Sequence, residues 1–262
     1  MFISIQENLL PGKDLKERLI NAKNLGFDAV EIWGHNIKER LTDIKDAKEA
    51  AGIRISTICS GYPGDLLSYD RKERELAING IKERLAAAAE LDAVGVIVVP
   101  TFGRPKLPDL YPLFKDVIEL EKRLLIEELK DIGKHADDVG AYVLLEPLNR
   151  YETHFINRLE QAVAICEEVG VEHVKVMADF FHMNIEEEDI CKSLRNYIDY
   201  IKHIHLADSN RLPPGYGHTD FKSAFQTLKD VGYKYFMTLE CRIPEPRSEV
   251  LKEVVSFLRS LI

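Results

Sequence analysis

The chain has 262 residues, 45% of them hydrophobic, and is therefore long enough to bury a sizeable core. Acidic residues outnumber basic ones by 44 to 35, and the formal net charge of −9 argues against a nucleic-acid partner, whose phosphates attract clustered Lys and Arg. No apolar run approaches the ~20 residues that span a bilayer, and no secretion signal opens the sequence. These features predict a globular, cytoplasmic protein that acts on a small molecule.

Eight short β-rich segments alternate with longer stretches of helical periodicity along the whole chain. In chain order, the predicted strands are FISI, DAVEIW, IRISTI, VGVIVV, AYVLLE, HVKVMAD, HIHLAD and YFMTLE. Two intervening segments place apolar residues on one helical face: Ile37, Leu41, Ile44 and Ala51 after the second strand, and Val250, Val254, Phe257 and Leu261 at the C-terminus. Such amphipathic helices are expected to cover a sheet.

Five glycines stand where a helical pattern ends and a predicted strand is about to begin: Gly26, Gly52, Gly140, Gly170 and Gly232. Glycine is common in the left-handed conformation that ends helices, so the recurrence indicates one repeated β–α unit. No linker or shift in composition divides the chain. We predict a single domain, residues 1–262, of α/β class and folded as a (β/α)8 TIM barrel. An open doubly wound sheet is the alternative, but no GxGxxG motif follows the first strand.

Polar residues mark the ends of the last four predicted strands. Strand five ends on Glu146, strand six on Asp179 and strand eight on Glu240, while strand seven carries His205 and then Asp208. In a parallel barrel these strand ends share one rim, where neighbouring strands lie ~4.8 Å apart. Any one of them alone would more often be a capping residue or a satisfied core residue. Three carboxylates together repel one another unless a cation or protons intervene, which predicts a metal site.

The ligand atoms limit the identity of the ion. Three oxygen donors and one nitrogen, without a thiolate, suit Mn²⁺, Mg²⁺ or Co²⁺ better than structural Zn²⁺. We expect one divalent ion per chain, and of these three ions we favour Mn²⁺. The cysteines, Cys59, Cys166, Cys191 and Cys241, lack C-x-x-C spacing, and we expect no disulfides.

The same strand ends carry a resemblance to a known family. The segments LEPLNRYET, ADFFHM, HIHLADSNR and LEC resemble the ketose 3-epimerases of the D-tagatose and D-psicose type, within the xylose-isomerase-like barrel superfamily. The resemblance covers nearly the whole chain in strand order. It implies that the metal ligands are Glu146, Asp179, His205 and Glu240. It also implies that the substrate's oxygen atoms contact Glu152, His182 and Arg211.

The resemblance implies a metal-dependent epimerase that inverts the carbon adjacent to the ketone, a C3-type reaction, in a ketose or keto sugar acid. Loss of the C–H proton creates an enediolate that a metal stabilises, and inversion requires the proton to return on the opposite face. Glu146 and Glu240, from strands five and eight, are the expected catalytic bases. Arg211 would add positive charge beside the enediolate and His182 a hydrogen bond.

Other activities of the superfamily fit less well. The apurinic-site endonucleases have extra histidines at the ends of strands three and four, where this chain has TICS and VPT. Xylose isomerases have a lysine after the Glu-Pro of strand five, where this chain has Leu148. A hydroxypyruvate isomerase stays the alternative activity, and a non-catalytic sugar-binding barrel is the alternative from another class.

Two features separate this chain from epimerases of free ketoses. Those enzymes tend to have aromatic residues at the end of the first strand, where this chain has Gln6, Glu7 and Asn8. The loop after strand four brings Arg104 and Lys106 to the same rim, either as a solvated loop or as an anchor for a carboxylate or phosphate. The sequence leaves open the particular sugar, its phosphorylation and whether the protein is a homo-oligomer.

Overall fold

The computed structural model describes residues 1–262 and contains eight strands that close into a parallel barrel in chain order. The predicted (β/α)8 TIM barrel is therefore confirmed. The strands are β1 (Phe2–Gln6), β2 (Ala29–Trp33), β3 (Arg54–Cys59), β4 (Gly95–Val98), β5 (Tyr142–Leu145), β6 (Val174–Asp179), β7 (Ile201–Leu206) and β8 (Phe236–Leu239). Each of them overlaps its predicted segment.

Nine α-helices surround the barrel, and a 3₁₀ turn (Glu7–Leu9) follows β1. The helices are α1 (Leu15–Leu25), α2 (Ile37–Ala51), α3 (Arg71–Glu90), α4 (Val117–Val139), α5 (Leu159–Val169), α6 (Phe180–Glu186), α7 (Ile190–Tyr197), α8 (Phe221–Asp230) and α9 (Arg247–Leu261). None of them combines the length and apolar character that a membrane crossing requires.

Aspartates and glycines define most helix ends. Six helices begin after an aspartate whose carboxylate accepts a hydrogen bond from a backbone N–H of the first turn: Asp14, Asp70, Asp116, Asp179, Asp189 and Asp220. All five glycines singled out in the sequence have positive φ. Four of them cap α1, α2, α4 and α5, and Gly232 follows α8 by two residues. The repeated β–α unit predicted from these glycines is therefore present.

The last helix buries a slightly different face from the predicted one. Leu251, Val254 and Leu258 are fully or almost fully buried, whereas Phe257 is 37% exposed. Phe257 lies at the margin of the apolar face, where its ring meets that of Phe221 edge-on at 6.4 Å between centroids. The helical repeat in the sequence shows that the helix has an apolar stripe. Which residues of the stripe are most buried depends on how the helix packs against the barrel.

The interior of the barrel has an apolar half and a polar half. Cys59, Ile97, Leu144 and Met177 pack together as a separate cluster on β3 to β6. The strands β1, β2, β7 and β8, together with Thr57 of β3, contribute buried polar side chains: Ser4, Gln6, Glu31, Thr57, His203, His205 and Thr238. Branched apolar residues usually fill such barrels, so the polar half indicates a region adapted to support a site at the rim.

Candidate active site

Four side chains meet at the carboxyl ends of β5 to β8. Glu146 directly follows β5, Asp179 ends β6, His205 lies near the end of β7, and Glu240 directly follows β8. Their ligand atoms all lie within 4.8 Å of one another, and all except Glu240 are buried. The structure therefore brings the four predicted metal ligands together as a candidate metal-binding cluster.

The donor set fits a divalent cation. The Nδ1 atom of His205 lies 3.2 Å from a carboxylate oxygen of Glu240 and 3.8 Å from one of Glu146. This nitrogen is buried and has no hydrogen-bond partner. A buried nitrogen without a partner is unfavourable, and a cation held between it and the carboxylates would satisfy all of these groups.

The close approach of the carboxylates shifts their pKa values in opposite directions. Burial, with the nearby Glu240 and Asp179 carboxylates, raises the pKa of Glu146 well above its ordinary value, although His205 opposes the shift. Burial also works against ionisation of Asp179, but Arg211, His182 and His205 hold the pKa of this carboxyl below its ordinary value. One carboxyl is thus kept charged by cations, while its neighbour favours the neutral form.

Arg211 reaches into the cluster from the loop after β7. One guanidinium nitrogen donates to Asp179 at 2.9 Å, and another donates to Glu240. These two carboxylates outweigh the effect of burial and raise the pKa of Arg211 further. Arg211 does not pair with the nearby Asp208, whose carboxylate accepts hydrogen bonds from backbone N–H groups instead.

Asp208 organises the loop that carries Arg211. Its carboxylate accepts hydrogen bonds at 2.7–3.0 Å from four backbone N–H groups, those of Ser209, Gly215, Gly217 and Thr219. Arg211 itself adopts a left-handed conformation with φ of 61°, and its N–H donates to the Asp208 carbonyl. The loop therefore holds Arg211 in a conformation that few non-glycine residues adopt.

His182 and Glu152 approach the cluster from α6 and from the loop after β5. The Nδ1 atom of His182 accepts a hydrogen bond from the backbone N–H of Asn149 at 3.2 Å and lies 2.8 Å from its side-chain amide. The Nε2 atom must therefore carry the ring proton, and it lies 3.5 Å from Asp179. The Asn149 amide also donates to Glu152 at 2.9 Å, which links the two predicted substrate contacts.

A further carboxylate, which the sequence motifs did not predict, lies beneath the cluster: Glu31 of β2, which is fully buried. It accepts a hydrogen bond from Thr57 at 2.6 Å and one from Gln6 at 3.0 Å. The Nε2 atom of His203 lies 2.9 Å from one of its oxygens, and the Nε2 atom of His205 lies 3.1 Å from both. The signal was present, since the charged residue in the middle of the apolar strand AVEIW must have a partner when it is buried.

The residues at the end of β1 have different partners. Gln6 donates from its amide to Glu31 at 3.0 Å and to Glu240 at 2.9 Å, so it connects the buried carboxylate to the rim. Glu7 turns away, pairing with Arg40 at 2.6 Å and accepting the Trp33 N–H at 2.9 Å. Of these two residues at the end of β1, only Gln6 contacts the candidate cluster.

The basic pair after β4 is partly neutralised within the protein. The ammonium group of Lys106 pairs with Asp65, which also accepts a hydrogen bond from Thr101 at 3.1 Å. The side chain of Arg104 is exposed. Of the two basic residues of this pair, only Arg104 therefore keeps a charge without an ion-pair partner in the protein.

A parallel eight-stranded barrel with carboxylates and a histidine grouped at its carboxyl rim has the architecture of TIM-barrel enzymes. A family described as xylose isomerase-like TIM barrel matches residues 19–261. The chain belongs to this xylose isomerase-like family, and the resemblance seen in its strand-end segments is confirmed.

Known relatives specify the class of activity. The chain is 30% identical over 263 residues to the 3-dehydro-D-guloside 4-epimerase of Escherichia coli K12, covering 99% of this chain and 100% of the relative. It is 30% identical over 224 residues to the D-psicose 3-epimerase of Agrobacterium fabrum, covering 82% and 75%. The crystal structure of 3-keto-D-glucoside 4-epimerase from E. coli superimposes with a TM-score of 0.91 at 29% identity, covering 99% of both chains. The protein is an enzyme of the isomerase class.

Proposed function

We propose that the protein is a metal-dependent sugar epimerase that inverts a carbon adjacent to a ketone. The observation that carries this proposal is the convergence of three carboxylates and one imidazole at the rim, within 4.8 Å of one another. The relatives support it, because 3-epimerisation of a psicose and 4-epimerisation of a 3-dehydro guloside each invert a carbon next to a carbonyl. The shared chemistry is removal and return of an acidic C–H proton.

The proposed metal ligands are Glu146, Asp179, His205 and Glu240, and the proposed ion is Mn²⁺, with Mg²⁺ or Co²⁺ as alternatives. Bound there, the ion would stabilise the negative charge that develops on the substrate's oxygen atoms when the proton leaves. His205→Ala should remove the nitrogen ligand and abolish both metal binding and turnover. His173→Ala is the control, because His173 pairs with Asp137 at the opposite end of β6. Unchanged metal content in His205→Ala would contradict the ligand assignment.

Glu146 and Glu240 are the proposed catalytic bases. They leave the non-adjacent strands β5 and β8 and approach the same His205 nitrogen, which supports their access to one substrate from two sides. One carboxylate removes the proton from one face of the carbon, and the other, protonated, returns a proton to the opposite face. Their roles exchange when the reaction runs in reverse.

Glu152, His182 and Arg211 are the proposed substrate contacts. The Asn149 N–H fixes the tautomer of His182, so that its Nε2–H is the group available to donate to a substrate oxygen. Arg211 holds its positive charge beside Asp179 and Glu240, where negative charge develops on the substrate. Glu152 accepts from Asn149 and is half-exposed, which suits a residue that meets a substrate hydroxyl.

The proposed substrates are keto sugars. The match over 99% of the chain to a 3-dehydro-D-guloside 4-epimerase favours a 3-dehydro glycoside, and a free ketose or keto sugar acid inverted at C3 is the second candidate. Gln6 at the end of β1 supports this order, since epimerases of free ketoses tend to have aromatic residues there.

Proton NMR in D₂O with Mn²⁺-loaded enzyme, quenched and freed of metal before measurement, tests the proposal across these sugars. Deuterium at the carbon next to the ketone, together with inversion, is the expected result. Label at C1 with an aldose product would instead establish an aldose–ketose isomerase, such as a hydroxypyruvate isomerase. Absence of both turnover and metal binding would leave a sugar-binding barrel.

A further inference from the structure

We propose that Glu31 is a positioning residue that fixes the tautomer and ring orientation of His205, and thereby sets the affinity of the rim for its metal ion. The inference rests on the proposed metal site, and it concerns a residue that lies beneath that site. Glu31 contacts none of Glu146, Asp179 or the substrate-facing loops.

Glu31 determines which nitrogen of the His205 ring carries the proton. The Nε2 atom of His205 lies 3.1 Å from both carboxylate oxygens of Glu31, and both residues are fully buried. An ionised carboxylate only accepts hydrogen bonds, so Nε2 must carry the hydrogen. The lone pair of the neutral ring is then on Nδ1, the atom that faces Glu146 and Glu240. A metal ligand requires that lone pair in that direction.

Hydrogen-bonding neighbours in turn hold the Glu31 carboxylate in place. Thr57 donates to it at 2.6 Å and Gln6 at 3.0 Å, and the His203 ring nitrogen lies at 2.9 Å. Together with His205, four side chains surround the two carboxylate oxygens, and they come from three other strands, β1, β3 and β7. Because the partners come from three different strands, the barrel itself determines where the carboxylate points and hence how the His205 ring is turned.

A second metal ion is the competing interpretation, since ligand atoms of Glu31, His203 and His205 also lie within 4.8 Å of one another. An ion there would take the Nε2 lone pair of His205 and place the ring proton on Nδ1, which would remove the nitrogen ligand from the rim. The hydroxyl of Thr57 and the amide of Gln6 also direct hydrogens at Glu31, and these would repel a cation. Positioning therefore explains the contacts better than a second ion.

Titration of the metal-free protein with Mn²⁺ by calorimetry tests the role of Glu31 without relying on turnover. Glu31→Gln keeps the shape but loses the charge and one acceptor, and we expect the Mn²⁺ dissociation constant to rise about 10–100-fold. Thr57→Val removes one donor to Glu31 and should raise the dissociation constant by a smaller factor. Glu7→Gln is the matched control, because it also neutralises a buried carboxylate but one that pairs with Arg40, and it should leave Mn²⁺ binding unchanged.

The ring proton is observed directly by ¹⁵N NMR of histidine-labelled protein with diamagnetic Mg²⁺ bound. In the wild type, the ¹⁵N chemical shifts of His205 should show the proton on Nε2. Glu31→Gln should change these shifts, whereas they would stay the same if Glu31 only stabilised the fold. If Glu31→Gln fails to fold, the Mn²⁺ affinity of Thr57→Val and the ¹⁵N chemical shifts of its His205 ring test the inference instead.

Three results would overturn the inference alone, because the wild type would still bind metal. They are equal Mn²⁺ affinity in the wild type and Glu31→Gln, a His205 proton on Nδ1, and two ions bound per chain. A wild type that binds no Mn²⁺ would instead overturn the proposed metal site together with this inference.

Discussion

Glu146 and Glu240 are chemically identical side chains that the structure places in different surroundings. Glu146 is 7% exposed and has no cationic hydrogen-bond partner, whereas Glu240 accepts from both Gln6 and Arg211. The two carboxylates therefore offer unequal faces to a substrate held between them. Because the two carboxylates differ in this way, replacing each of them alone tests which one transfers the proton on which face of the substrate.

We predict that Glu146→Gln and Glu240→Gln each reduce net epimerisation by at least about 10²-fold, because each removes one of two proton-transferring groups. A single remaining base returns its proton to the face from which it came, so the starting sugar is regenerated. Each variant that keeps its metal should still exchange one substrate proton with D₂O from the surviving face. The measurement is deuterium incorporation followed by stereochemical analysis of the recovered sugar.

Metal content of the two variants serves as the control for this experiment, since both residues are also proposed ligands. A variant that retains metal and inverts the carbon at the wild-type rate would contradict the two-base mechanism.

At the scale of elements, the loop between β7 and α8 depends on one aspartate. Asp208 is fully buried, and hydrogen bonds from the backbone N–H groups of Ser209, Gly217 and Thr219 lower its pKa despite the opposing effect of burial. Asp208→Asn leaves a single acceptor oxygen, so some of these N–H groups lose their partner at about 1–3 kcal/mol each. We predict that this variant lowers stability and misplaces Arg211, which reduces kcat/KM while Mn²⁺ affinity stays close to that of the wild type.

Gly217→Ala provides a second route to the same effect, because a Cβ atom at this position would collide with the Asp208 carboxylate. Steady-state kinetics and Mn²⁺ titration of both variants are the measurements. If both lose metal as readily as they lose activity, the loop supports the ligands rather than Arg211.

The loop after β4 offers a prediction about substrate charge. Lys106 is paired with Asp65, whereas Arg104 is exposed. We predict that Arg104→Ala raises KM for a keto sugar acid and leaves kcat nearly unchanged, because it removes binding that the ground and transition states share. Lys106→Ala should have a smaller effect on KM.

A neutral keto sugar is the control for both variants of this loop, and its kinetics should not change. Equal kinetics for acidic and neutral sugars in the wild type and in Arg104→Ala would assign Arg104 to a solvated loop.

At the scale of the whole molecule, the repeat that predicts the barrel lies in short segments of sequence, whereas the contacts that complete the site join residues far apart in the chain. Strands, helix caps and the rim position of Glu146 or Glu240 follow from short segments read in order. The contact between Glu31 and His205 joins β2 to β7 across the interior and is determined only when the barrel closes. The sequence pattern also could not show that Asp208 binds backbone N–H groups, because that depends on the path of a loop without periodicity.

Stability of the whole fold should depend on pH through Glu128, at the packing of α4 against α3. Glu128 is 8% exposed, lies 3.1 Å from Arg74, and has one carboxylate oxygen without a hydrogen-bond partner. Burial raises its pKa from 4.5 to about 7, and Arg74 only partly opposes the shift. Between these two pH values the folded chain holds a proton that the unfolded chain has released, so the free energy of unfolding falls as pH rises.

We predict that Glu128→Gln, which mimics the protonated side chain, is more stable than the wild type at pH 8 by about 1–3 kcal/mol. At pH 5 the wild-type carboxyl is already protonated in the folded state, so the two proteins should differ little. Urea unfolding of metal-free protein at both pH values measures the difference, and Glu127→Gln, an exposed neighbour on α4, should show no such dependence. A Glu128→Gln variant that is less stable than the wild type at pH 8 would show that the ion pair with Arg74 outweighs the cost of burying the charge.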